Sequence, residues 1–175
     1  MELTFSHESP SRTLLLNDKD EPVYRIESPH KLSHRTTTVT RYTESHNEGD
    51  ASPLAQIEWH HFRSSEIEFE GKKMKLGTFL HGSGLLGRDR TFTAKDGRSY
   101  RWRIPAIGHL KLELNEEPNT PVARYHHSGF MSTRKNACLD IYPPGTHMLD
   151  EIVATFACVE KIQKDSQESE GVVEK

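Results

Sequence analysis

The 175-residue chain has only two cysteines, Cys138 and Cys158, which excludes a disulfide framework as the source of its stability. Long hydrophobic runs are missing too. The longest, Ile152 to Val159, is interrupted by Thr155 and is too short to cross a bilayer as a helix. No Asn-x-Ser/Thr sequon occurs, and Met1–His7 offers neither a basic nor an apolar stretch. A cytoplasmic protein in a reducing compartment is expected, with no transmembrane segment. Apolar residues make up 33 % and mean hydropathy is −0.75. Strands that turn alternate residues to water have such a composition. Charge of one sign is not in large excess either, and a net charge of −3 argues against nucleic acid as a partner.

What is present is a series of short β-favouring runs separated by turn residues. About twelve strands are expected by this pattern: Leu3–Phe5, Thr13–Leu16, Val23–Glu27, Arg35–Tyr42, Leu54–Trp59, Glu66–Phe69, Lys73–Leu76, Arg90–Thr93, Arg98–Ile104, Leu110–Leu114, Val122–His127 and Ala137–Tyr142. Asp96-Gly97 and Glu70-Gly71 mark hairpins, because glycine supplies the positive φ of primed turns. Tyr100, Trp102 and Ile104 share one strand face, as do Leu110, Leu112 and Leu114, so these triplets belong to the core. Glu44–Pro53 reads as a polar loop. The acidic stretch 165–175 reads as a disordered tail, which leaves one domain over residues 1–164.

Thr146–Lys164 differs from everything before it. Thr146 or His147 can cap a helix there, and Asp150 and Glu151 suit the positive end of its dipole. Ile152, Val153, Ala154, Phe156, Ala157, Cys158 and Val159 cover every side of that helix, with only Thr155 breaking the ring. A helix apolar all round is buried all round, so the preceding strands are expected to enclose it.

Strands followed by such a helix resemble the Tubby C-terminal-like superfamily, which includes Tubby proteins, phospholipid scramblases and LURP-one-related proteins. A fungal family of unknown function placed near that group is more similar still. The resemblance is carried by Leu3-Thr4-Phe5, Arg35-Thr36-Thr37-Thr38, Ala55-Gln56-Ile57-Glu58-Trp59-His60 and Arg90-Thr91-Phe92-Thr93. It continues through Asp96-Gly97-Arg98, Tyr100-Arg101-Trp102, Pro121-Val122-Ala123-Arg124-Tyr125 and His147-Met148-Leu149-Asp150. It implies a mostly β fold, a closed antiparallel barrel of about twelve strands around a buried C-terminal helix, and lipid-associated relatives.

Motifs for catalysis are weaker. His81-Gly82-Ser83-Gly84-Leu85-Leu86-Gly87 contains Gly-x-Gly-x-x-Gly, but a strand follows it where a dinucleotide site needs a helix. It reads as a loop, and no cofactor is expected. The 11 histidines suggest metal, yet a zinc site needs three or four ligands converging from different elements. Glu58 and His60 share a strand face and supply only two, while His126 and His127 fall on opposite faces. No metal is expected. Cys138 and Cys158 read as small buried hydrophobes. A small barrel enzyme, or a binder of lipophilic molecules, would use Glu58, His60 and His126.

The charge pattern supports a different reading. Residues 63–103 hold ten Lys or Arg against five Asp or Glu, in a chain whose total is −3. By alternation Lys73 and Lys75 point outward on one strand and Arg101 and Arg103 on another. With Arg90–Thr93 paired between those strands, the four cations would share a face about 10 Å across. The preferred expectation is therefore a non-enzymatic binding or adaptor barrel whose partner is an anionic lipid headgroup or an acidic protein, bound through Lys73, Lys75, Arg101 and Arg103.

Overall fold

The computed structural model describes residues 1–28, 36–43, 50–60, 62–84, 87–106, 108–128 and 136–172. Arg35, Leu85, Leu86 and most of the Glu44–Pro53 loop lie outside them. All twelve expected strands form: β1 (Glu2–Phe5), β2 (Arg12–Leu16), β3 (Pro22–Glu27), β4 (Thr36–Arg41), β5 (Ser52–Glu58), β6 (Glu66–Phe69), β7 (Lys72–Lys75), β9 (Asp89–Thr93), β10 (Ser99–Arg103), β11 (Lys111–Leu114), β12 (Pro121–His126) and β13 (Cys138–Ile141). A thirteenth, β8 (His81–Ser83), begins the glycine-rich stretch that reads as loop in the sequence. A helical turn, α1 (Leu76–Phe79), separates β7 from β8, and α2 (Leu149–Val172) ends the fold.

The strands form one antiparallel sheet in the order β7-β6-β5-β4-β3-β2-β1-β13-β12-β11-β10-β9-β8. Strands consecutive in the chain are neighbours in both wings, and β1 joins the wings by pairing with β13, Leu3 opposite Leu139. Hydrogen bonds do not close this sheet, in contrast to the expected closed barrel. Its two edges are β7 and β8, and α1 packs at the seam between them, with Phe79 against Phe69 at 5.4 Å between ring centres. The local reason is that the chain leaves β7 in a helical turn, Leu80 N–H donating to Leu76 O, instead of a hairpin. The Lys-Lys-Met-Lys sequence of β7 places three lysines on an edge, a charge pattern that discourages pairing with another chain.

The Glu70-Gly71 hairpin closes with φ of +48° and +75°, as a primed two-residue turn requires. Asp96-Gly97 differs: only Gly97 has positive φ, at +79°, and its N–H returns to Ala94 O in a longer connection.

Eight consecutive residues of α2, Ile152 to Val159, are buried, none more than 4 % exposed. Phe156 touches Phe5 of β1, Trp102 of β10 and Tyr125 of β12, and the same helix packs on β4 and β5. Contacts with both wings on one helix require that the sheet curl around it. Deleting the Phe156 ring would remove about 3–5 kcal/mol, by analogy with other buried aromatics.

The helix starts at Leu149 rather than at Thr146, and neither expected cap is used. Thr146 donates its hydroxyl back to Pro143 O, and the His147 ring lies 2.9 Å from Asp96 Oδ2. Groups from the strands and from the turn after β9 anchor the first turn instead. Tyr24 donates to Asp150 Oδ1 at 2.8 Å, Arg41 pairs with Asp150, and Lys95 N–H donates to Glu151. Ahead of it Gly145 passes so close to β12 that a Cβ there would sit 2.8 Å from Val122 O. At the other end the helix continues to Val172, so residues 165–172 are helical where the acidic composition suggested disorder.

Candidate functional site

Alternation places the four cations named from the sequence as expected, outward, but the sheet order separates them. β9 pairs with β8 and β10, not with β7. Lys73 and Lys75 therefore lie on one edge strand, and Arg101 and Arg103 lie beyond the seam and two further strands. Two of the four are also engaged. Lys73 Nζ stands 3.1 Å from Glu66 Oε2 and 3.6 Å from Glu58 Oε1. Arg103 reaches Asp89 and Glu113, each at 3.2 Å, and so ties β9, β10 and β11 together. Lys75 is exposed opposite Glu66.

Arg101 belongs to a different group. Across β10, β11 and β12 the register sets Arg103 opposite Lys111 and Lys111 opposite Arg124, all on the outer face, with Arg101 opposite Glu113. Like charges directly opposite one another are unfavourable; of the acidic neighbours, Glu113 is taken by Arg103 and Asp140, opposite Arg124 on β13, faces His126. Among the described residues Arg101, Lys111 and Arg124 form no ion pair. The Nε atoms of Arg101 and Arg124 are buried without a hydrogen-bond partner. The three span three adjacent strands, about 10 Å.

Histidines border this row. His109, just before β11, has its ring 5.2 Å from His126 and 6.0 Å from His127. Burial, with the charges of Arg124 and Lys111 beside it, lowers the proton affinity of His109. Burial and then His109 do the same to His127. His126 Nε2 faces Asp140 Oδ2 at 3.0 Å.

The second site named from the sequence, Glu58, His60 and His126, is not one site. β5 and β12 stand six ladders apart in the sheet. What the fold brings to Glu58 and His60 is Glu66, directly opposite Glu58 on β6, together with Lys73 of β7. Gln56, Glu58, Glu66, Glu68 and Lys73 line a small polar depression there. The Glu66 carboxyl lies below its usual range because Lys73 donates to it, and the same contact raises the Lys73 ammonium.

A model for a family of unknown function, DUF6593, matches residues 8–165. The chain belongs to that family. No curated protein and no solved structure matches it. The matched span of this DUF6593 chain runs from just after β1 into α2, and so covers both groups of charged side chains. Sequence reading missed Lys111 and Arg124, which lie outside the cation-rich 63–103 stretch. The available signal was alternation in Lys111-Leu112-Glu113-Leu114 and Val122-Ala123-Arg124-Tyr125, where buried Leu112 and Tyr125 force their neighbours outward. No helix of the DUF6593 chain, among the described residues, is long and apolar enough to cross a membrane.

Proposed function

We propose that this DUF6593 chain is a non-enzymatic, cytoplasmic binding domain of the Tubby C-terminal-like type, and that it recognises the phosphate headgroups of an anionic membrane. The docking surface is the outer face of β10–β12. The observation that carries the reading is the set of three cations, Arg101, Lys111 and Arg124, held on adjacent strands and in no ion pair among the described residues, although Glu113 and Asp140 stand opposite Arg101 and Arg124. The buried Nε donors of Arg101 and Arg124, without partners, favour an anion with several acceptor oxygens. The meander wound about an enclosed C-terminal helix supports the kinship. A basic sheet face favours binding over catalysis, and Arg101 is the member of the original cation set that contributes to it.

Each cation near an anionic surface is worth about 1 kcal/mol, and salt weakens the sum. The test is co-sedimentation with phosphatidylcholine vesicles with and without phosphatidylserine or phosphoinositide, at low and physiological salt. An Arg101→Gln/Lys111→Gln/Arg124→Gln variant should lose about a hundredfold in affinity. A Lys73→Gln/Lys75→Gln variant should pellet like the wild type. Equal pelleting of the wild type and the triple variant, or none by the wild type at low salt, ends the membrane reading. Binding of soluble acidic polypeptide without vesicle binding would reassign the face to a protein partner.

A further inference from the structure

The group at Glu58 offers chemistry that a basic docking face does not use. Glu58 ends β5, on its outer side with Gln56, and His60 follows two residues later. Antiparallel pairing sets Glu66 of β6 opposite Glu58. Ligand atoms of Glu58, His60 and Glu66 all lie within 4.8 Å of one another. The ring of His60 approaches the carboxylates with Nε2 3.8 Å from Glu58 Oε2, and that nitrogen is buried and without a hydrogen-bond partner. Just past the strand end, His60 N–H donates to Ser65 Oγ at 3.1 Å, which fixes the backbone that carries the ring.

We propose that Glu58, His60 and Glu66 form a binding site for a divalent transition metal of the zinc type, and that the Lys73 ammonium competes for it. One imidazole and two carboxylates suit zinc and its first-row neighbours, whereas an all-oxygen set would suit calcium or magnesium. Zinc ligands stand about 2.0–2.2 Å from the ion, so the three donor atoms must draw in slightly, by side-chain rotation. Three protein ligands leave one position of a tetrahedral ion open to water. In the metal-free arrangement Lys73 supplies the positive charge, bridging Glu66 and Glu58. Its side chain is 54 % exposed, so it can swing into solvent when an ion enters. The proposal is independent of the membrane-binding reading, which uses other strands and the opposite charge.

Isothermal titration with zinc chloride, and absorption of the cobalt(II)-loaded protein, test it on the full chain. Wild type should bind one zinc ion that His60→Ala and Glu66→Gln fail to hold, and cobalt should give the intense visible bands of a four-coordinate ion only where His60 is present. Lys73→Met removes the competitor, and should tighten binding by about tenfold, the effect of one charge a few ångströms from a divalent ion at the surface. Lys73→Met combined with His60→Ala should bind no better than His60→Ala alone. These residues are partly exposed, and circular dichroism of each variant checks that it is folded. Zinc binding of equal affinity and stoichiometry in wild type and His60→Ala would overturn the site. So would the absence of binding by Lys73→Met.

Discussion

Trp102 Nε1 donates a hydrogen bond to Thr155 Oγ1 at 2.8 Å, and both residues are completely buried. Thr155 is the one polar residue in the apolar run of α2, and its hydroxyl donates onward to Glu151 O at 2.7 Å. The break in the hydrophobic ring is therefore the partner that the indole of the most enclosed tryptophan requires. The helix is keyed to β10 at this point, in rotation and in depth.

Thr155→Val keeps the shape and removes the acceptor, leaving a buried indole N–H unsatisfied. The expected cost is about 1–3 kcal/mol, a fall in Tm of several degrees for a domain of this size, at about 2–4 °C per kcal/mol. Thr155→Ser keeps the oxygen and loses one methyl, about 0.8 kcal/mol. Thermal unfolding should rank wild type, then Ser, then Val. Valine equal to wild type would show that this bond contributes nothing.

Glu160 lies where α2 leaves the core. Burial raises the pKa of its carboxyl, and the lysines at 164 and 161 offset only part of that. A folded-state value above that of the unfolded chain means that the contribution of Glu160 to stability is fully present below the ordinary glutamate pKa, about 4.3. It is lost as pH rises through the raised value, when a carboxylate must form in a desolvated place. Glu160→Gln should therefore melt at a higher temperature than wild type near pH 7, and the gap should close at about pH 4. A neutral-pH Tm below wild type would contradict this assignment.

The two thiols, neither in a disulfide, should be inert. Burial pushes the Cys158 thiol up to about 12, so almost no thiolate exists at neutral pH. Cys138 is 1 % exposed although its position on β13 is shared with outward-facing Asp140. An aromatic disulfide reagent should label neither cysteine in the native protein and both after denaturation. Rapid native labelling of Cys158 would mean that the helix leaves the sheet readily.

Much of the fold is legible from local pattern. Twelve of the strands follow from alternation and turn residues, as at Tyr100, Trp102 and Leu112, because a strand with one buried face writes a period of two into the sequence. The enclosed helix follows from its apolar circumference, because no partial packing buries every side. β8 was hidden, since His81-Gly82-Ser83 has no alternating apolar residues and is a strand only by pairing with β9. The length of α2 was hidden as well, since Gln167 donates to Ala106 O and so docks a helix end whose composition is that of a tail.

The candidate sites show the division most sharply. The sequence by itself determined which side chains face outward, Lys73, Lys75, Arg101 and Arg103 among them, because facing depends only on the two-residue period. Which outward side chains meet was decided by the order of strands in the sheet. That order parts Lys73 from Arg101, joins Arg101 to Lys111 and Arg124, and sets Glu66 beside Glu58 and His60. Neighbours across a ladder come from residues distant in the chain, and their choice depends on how every strand packs around α2.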